Sequence, residues 1–474
     1  MRSVRLIFGA SSLLIFAACT FGNGSSSGAF SAPAGGLSSM DFLKNDAASK
    51  HISHIIIVVQ ENRTFENFFA GYPGANAPTS GCGKPPKGEA FPRRISRAST
   101  SGCPSGDQVI PLHQITFEKG PNLSHEYESS IIDWDNGKMD GFTHFGLHHD
   151  DAGYAYVEQS EVSTYWSMAQ QYVLSDAMFP TEFGPSWTAH LTLVAGTDNL
   201  NNRNNLALAD FADARSNCGA PKGTKTTTVN IKRIIKPSSG PYPCLNQFNT
   251  MAQALDNASV SWKYYVAQNY KAFIWSPYGS IQYVHNGPDW TNNIIQPETT
   301  VLTDIQNGTL PQVSWVTPNR LDSDHPNSHN DSGPSWVASI VNTLGQSQYW
   351  NSSAVIVLWD DYGGFYDNAP PPQLDFRGLG IRVPCLIISP YAKSNYVDHT
   401  QYEFGSILKF IEEVFPNVKR LGRTKEGYTD TRANSLDNAF NFTQAPRAFQ
   451  KIKQKYPVSH FLHGMPVNEP PDKD

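Results

Sequence analysis

Glu61 and Asn62 stand directly after the apolar run His54-Ile55-Ile56-Ile57-Val58-Val59-Gln60, and Asp360 and Asp361 directly after Ala354-Val355-Ile356-Val357-Leu358-Trp359. Three carboxylates and a side-chain amide at the ends of two such runs are hard oxygen donors, the kind a divalent cation takes. Either motif alone reads equally well as a polar turn with a solvated acid. Together they favour a metal, because adjacent carboxylates repel each other unless a cation or a proton lies between them.

Ser186 is the candidate nucleophile, in Gly184-Pro185-Ser186-Trp187-Thr188-Ala189-His190 ahead of the apolar Leu191-Thr192-Leu193-Val194-Ala195. At a helix N-terminus the dipole and the free amides favour an alkoxide and a phosphate. An ordinary serine cap occupies the same kind of position, and Gly333-Pro334-Ser335-Trp336 repeats the tetrapeptide, so spacing does not separate Ser186 from Ser335. Histidines group as His125, as His144, His148 and His149, and as His325 and His329, all in polar loops. Singly each reads as a surface residue, but the grouping favours one that protonates a leaving group or holds a phosphoryl oxygen.

The elements that must position these residues are legible from periodicity. Short Ile/Val runs without alternation, at Ile55 to Val59, Val313 to Val316, Val355 to Leu358 and Leu386 to Ile388, are what parallel strands covered on both faces look like. Helical periodicity runs from Ser406 to Phe415. This predicts an α/β fold, a mostly parallel central sheet with helices on both faces, whose ligands gather at the carboxyl ends of the strands. Around 75–125 and 200–250 Gly, Pro, Asn and Lys dominate, which marks insertions that shape the mouth of a site. The 474 residues then divide into a leader at 1–19, a Gly/Ser/Ala linker at 20–45, one catalytic domain at 46–465 and a tail at 466–474. The window Gly24-Ser25-Ser26-Ser27-Gly28 matches a serine-hydrolase elbow only in composition, since no strand precedes it.

A net charge of −6 without a basic cluster gives no sign of nucleic-acid binding. Arg2 and Arg5 followed by an apolar stretch from Leu6 to Ala18 read as an export signal, too short to cross a bilayer as a mature helix. Phe16-Ala17-Ala18-Cys19 resembles a lipoprotein cleavage box, so the expected location is secreted or periplasmic, with membrane association through the substrate or a lipidated Cys19. Export permits disulfides, and the shortest loops pair Cys82 with Cys103 and Cys218 with Cys244, leaving Cys385 as a thiol in the apolar Val383-Pro384-Cys385-Leu386-Ile387-Ile388.

With these residues assembled, the chain resembles the bacterial phosphoesterase family of non-haemolytic phospholipases C and secreted acid phosphatases, relatives of the alkaline phosphatase superfamily. The resemblance runs from about His54 to Phe449. It is carried by Gln60-Glu61-Asn62-Arg63-Thr64-Phe65, Gly137-Lys138-Met139-Asp140-Gly141-Phe142, Gly184-Pro185-Ser186, Asp324-His325-Pro326 and Trp359-Asp360-Asp361-Tyr362-Gly363-Gly364-Phe365-Tyr366-Asp367. It implies that Glu61, Asn62, Asp360 and Asp361 bind the metal, with Ser186 as a further ligand and as nucleophile, which also decides against Ser335. By the same analogy His125 and His325 lie around the phosphate, His325 or a neighbour protonating the leaving oxygen. The chain departs from the family where it reads Tyr366-Asp367-Asn368 and Tyr402-Glu403-Phe404, losing two family histidines and putting a full second metal site in doubt. His399 is a partial substitute.

The implied activity is hydrolysis of phosphoric esters through a phosphoseryl intermediate, with a metal-dependent acid-phosphatase-like reading first and phospholipase C action on phosphatidylcholine-type lipids second. Oxygen donors favour Mg²⁺, Ca²⁺ or Mn²⁺, with Zn²⁺ or Fe remaining open. Trp134, Tyr154, Tyr156, Trp166 and Trp187 are candidates for a cage around a cationic headgroup, or else packing. A sulfatase is disfavoured because no Cys or Ser precedes the Pro and Arg spacing those enzymes use. A different class of reading makes the chain a calcium-stabilised surface-binding protein without turnover.

Overall fold

The computed structural model describes residues 47–84, 103–143, 151–210, 217–464 and 471. The leader with Cys19, the linker, and His144, His148 and His149 lie outside these residues, as does nearly all of the tail.

Among the described residues the main sheet has nine strands: β1 His54–Gln60, β2 Val173–Phe179, β3 Trp262–Val266, β4 Ile294–Ile295, β5 Val313–Thr317, β6 Ser353–Trp359, β7 Val383–Ile388, β8 Tyr396–Asp398 and β9 Tyr402–Glu403. Their order is β4-β3-β5-β1-β6-β7-β2-β8, with β9 also on β2. Every pairing is parallel except those of β7, which runs antiparallel to both β6 and β2. Branched side chains at five successive positions, Ile55 to Val59, favour the pleated conformation of β1. Every residue of β6 is buried, so both of its faces are covered.

The cover comes from helices. α1 (Phe65–Phe69) and α2 (Tyr127–Trp134) flank the site described below. α3 (Ser163–Gln171) and α6 (Thr300–Asn307) pack on α7 (Gly333–Gly345). α5 (Met251–Ala258) packs on α4 (Ser186–Ala195), and α4 on α8 (Phe404–Val414). The fold expected from the Ile/Val runs is the one observed.

The insertions carry small sheets of their own. Ser80–Gly83 pairs with Gln108–Pro111, and Leu206–Asp210, Thr227–Asn230 and Ile235–Lys236 form a three-stranded sheet. Disulfides join Cys82 to Cys103 and Cys218 to Cys244, and Cys385 is a buried thiol in β7. One register fixes the rest: β1 and β6 pair along their whole length, ending at Gln60 opposite Trp359. Parallel pairing at that register brings the two acidic motifs out of the sheet level with each other.

Candidate active site

Beyond the strand ends the two motifs interlock. Asn62 adopts a left-handed φ of 60°, which Asn tolerates better than most residues, and its backbone N–H donates to Asp360 Oδ1 at 2.9 Å. Gly363 has the same φ of 60°, and a Cβ there would lie 2.2 Å from the Asn62 carbonyl oxygen, so the closeness of the two turns requires glycine. The Glu61 amide donates to Ser323 O at 2.9 Å, tying in the turn that carries His325. Ser186 is the first residue of α4, as expected, and its hydroxyl donates to Asp361 Oδ2 at 3.2 Å.

The same helix delivers a residue that the sequence reading passed over. One turn on from Ser186, His190 Nε2 lies 3.0 Å from Glu61 Oε1 and 3.8 Å from Asp360 Oδ2. Glu61, His190 and Asp360 each bring a ligand atom within 4.8 Å of the others, and all three are buried. The signal was present as the i, i+4 spacing of Ser186 and His190, which puts both on one helix face. A nitrogen thus stands among the candidate donors where the sequence motifs offer oxygen alone, and it would widen the choice toward Zn²⁺ and Fe.

Charge in this cluster is uncompensated. Burial first, then the nearby Asp360 and Asp361 carboxylates, holds Glu61 far above the usual carboxylate range. Burial and Asp360 push Asp361 up to about 8. Burial lowers His190 to about 4, so its imidazole is neutral near pH 7 and is in the form that ligates metal. Three buried acceptors, Glu61 Oε2, Asn62 Oδ1 and Asp360 Oδ2, have no hydrogen-bond partner among the described residues. Orphaned oxygens on buried acids are costly unless a cation meets them. The donors present therefore fit a divalent ion.

The other predicted residues surround this core. His125 is buried, with Nδ1 2.7 Å from Leu123 O and Nε2 2.7 Å from Asn62 Nδ2. Nδ1 therefore carries the proton, Nε2 accepts from the Asn62 amide, and the buried Asn62 Oδ1 is left without a partner among the described residues. His325 Nδ1 accepts from the Asn327 amide, which puts its ring proton on Nε2. Its ring lies 5.9 Å from that of Trp275, whose carbonyl takes a hydrogen bond from Tyr264, and the Tyr264 hydroxyl is 3.5 Å from His190 Nδ1. Neither His125 nor His325 is the surface residue that a lone loop histidine suggests.

Asp324 fixes this arrangement. Its Oδ2 accepts from Tyr165, from Gln60 at the end of β1 and from Trp359 at the end of β6. Buried Arg63 donates to Asp324 O at 2.8 Å and lies over the rings of Phe68, Phe117 and Phe365.

Other candidates fall elsewhere. Ser335 accepts from the Lys455 and Tyr456 amides. His329 is bonded to Glu118 O. His399 is bonded to Asp176 with its side chain 65% exposed. At the positions of the two missing family histidines stand Asn368, which accepts from Arg382, itself paired with Asp367, and the buried Phe404, whose neighbour Glu403 is forked onto Arg432. Asp367 and Glu403 are thus each paired with an arginine. The aromatic cage is not formed: Trp134 packs on Phe183, Tyr154 stacks on Tyr366, Trp166 packs on Phe69 and Tyr72, and Trp187 is buried with its indole N–H on Ser280.

The profile of the Phosphoesterase family matches residues 52–418, a span that holds every residue of this site. The chain belongs to the phosphoesterase family. Among relatives, phospholipase C A of Mycobacterium tuberculosis is 26% identical to this phosphoesterase over 450 residues, covering 84% of this chain and 78% of the relative. Non-hemolytic phospholipase C of Pseudomonas aeruginosa is 24% identical over 445 residues, covering 83% of this chain and 58% of the relative. A solved protein in the alkaline phosphatase superfamily from Vibrio parahaemolyticus superposes with a TM-score of 0.33 at 12% identity, covering 56% of this chain and 65% of that one. This phosphoesterase is a hydrolase acting on phosphoric ester bonds.

Proposed function

We propose that this phosphoesterase cleaves its ester through Ser186, with Glu61, Asn62, Asp360 and Asp361, joined by His190, holding one divalent cation beside it. The observation that carries the reading is the hydrogen bond of Ser186 to Asp361, the residue next to Asp360 in a cluster whose Glu61, Asn62 and Asp360 oxygens have no partner among the described residues. A bound cation would offset the carboxylate charge and stabilise the oxygens of the transferring phosphoryl group.

The chain's own groups supply the rest. Ser186 Oγ forms the bond to phosphorus and passes its proton to the Asp361 carboxylate, which already accepts its hydrogen bond at 3.2 Å. The free amides of the first turn of α4 receive the equatorial oxygens. The departing alkoxide takes its proton from a water that the His325 Nε2–H holds in place. The hydroxide so formed attacks the phosphoseryl ester, and the released Ser186 Oγ takes back the proton held by Asp361. His125 acts as a positioning residue, holding the Asn62 amide with its oxygen toward the cation.

For the substrate, the names of the relatives favour a phospholipid, with a phosphomonoester as the other reading. The test assays an aryl phosphomonoester, an aryl phosphocholine and phosphatidylcholine, with and without chelator, on wild type and Ser186→Ala. Chelator-sensitive turnover that disappears in Ser186→Ala is expected, and the preferred ester separates the two substrates. Turnover that survives the substitution would remove Ser186 from its role.

A further inference from the structure

The stretch 217–250, within the 200–250 insertion, contributes nothing to the chemistry above, yet its composition is unlike the rest of the chain. It carries Lys222, Lys225, Lys232, Arg233 and Lys236 with no Asp or Glu, in a protein of net charge −6. Its strands Thr227–Asn230 and Ile235–Lys236 form a hairpin whose tip reads Asn230-Ile231-Lys232-Arg233-Ile234. Ile231 is 61% exposed and Ile234 56%, and Leu374, next to Gln373, is 45% exposed. These are three of the four large hydrophobic side chains most exposed among the described residues.

The tip is fastened to the rim of the active site. Arg233, at a φ of 57°, turns its guanidinium inward: it donates to Phe376 O at 2.8 Å, contacts Gln373 and lies over the rings of Trp134 and Phe183. Phe183 is three residues before Ser186, and Trp134 ends α2, the helix of about 12 Å that starts two residues after His125. The Arg233 anchor therefore leaves Ile231 and Ile234 facing water beside Leu374, with Lys232 and Lys236 exposed around them.

We propose that this hairpin is a docking surface for a bilayer bearing anionic phospholipid, with Ile231, Ile234 and Leu374 entering the acyl boundary and Lys232 and Lys236 meeting the headgroup charge. Apolar side chains ringed by lysines are the pairing that binds such an interface, and the missing acids remove the repulsion that the rest of an acidic protein would supply. The proposal deepens the lipid reading of the substrate and rests on it for its purpose, but binding is read without turnover.

The test uses the full chain in a Ser186→Ala background, so that vesicles stay intact, and measures flotation with phosphatidylcholine vesicles with and without phosphatidylglycerol. Binding that needs phosphatidylglycerol and weakens with salt is expected, falling about tenfold or more in Ile231→Ser/Ile234→Ser and in Lys232→Glu/Lys236→Glu. In the Ser186-containing chain the same pairs of substitutions should leave turnover of a soluble aryl phosphate ester unchanged, which shows that they fold. Equal flotation of parent and variants overturns the proposal. So does a parent dimer in sedimentation velocity that the isoleucine pair dissolves, since the tip then covers a second copy. Cleavage of detergent-dispersed phosphatidylcholine without any vesicle binding overturns the docking surface alone. Variant-sensitive flotation without hydrolysis of any ester supports the docking surface and removes the lipid-hydrolysis reading.

Discussion

Cation binding at this site should expel protons, and the number follows from the carboxylates. With Asp361 pushed up to about 8 by burial and Asp360, it is ~90% protonated at pH 7. Glu61 is shifted far in the same direction. A divalent ion binds the ionised forms, so loading the site at pH 7 should release between one and two protons, counted for the cluster as a whole. His190 adds none, since burial has lowered it to about 4. Apparent affinity should then rise ~10-fold between pH 6 and pH 7 for each proton expelled, up to ~100-fold for two.

Isothermal titration of the chelator-treated protein with Mn²⁺ or Zn²⁺, in two buffers of different ionisation enthalpy, measures the release directly. Ser186→Ala should retain it, because the hydroxyl is not the group that titrates. Asp361→Asn should lose about one of the expelled protons and flatten the pH dependence accordingly. Affinity that is the same at pH 6 and pH 7, with no buffer-dependent heat, would refute the argument: these carboxylates would not be where the cation goes.

His190→Gln removes the nitrogen donor and should weaken cation binding by ~10–100-fold in the same titration, whereas an unchanged affinity would reduce His190 to a partner of Glu61. Gly363→Ala should destabilise the fold by about 2–5 kcal/mol, the sum of a left-handed alanine and a Cβ pressed against the Asn62 carbonyl, and urea melts would show it. Burial pushes Asp133 up to about 8, with the Tyr362 hydroxyl donating to its Oδ2 at 2.9 Å. The fold therefore favours the protonated acid, and this contribution is complete below about pH 4 and lost as pH rises toward 8. Asp133→Asn has nothing to ionise and should be stabilised relative to wild type at pH 8 more than at pH 5; equal differences at both pH values would show that Asp133 does not titrate there.

What the sequence revealed of this site depends on how far apart the determinants of each residue lie. A run of branched residues makes a strand wherever it falls, so the ends at Gln60 and Trp359, and the acids just beyond them, are fixed by local pattern. Their closeness needs only the parallel register that such runs adopt. Ser186 was half legible: a serine opening a helix is visible, but Ser335 opens α7 in the same tetrapeptide, and what occupies Ser335 is a pair of amides about 120 residues away. His190 was hidden because it lies in a helix that is buried throughout, where a histidine reads as core, and its partner Glu61 is 129 residues distant. The aromatic cage failed for the same reason in reverse, since composition counts rings without saying which way they face, and these face neighbours in the packing. Strand-end ligands are therefore local facts, while the donor on α4 is a tertiary one. That donor is the one that changes the chemistry expected, because a buried neutral imidazole between two acids admits ions that an all-oxygen site would hold less well.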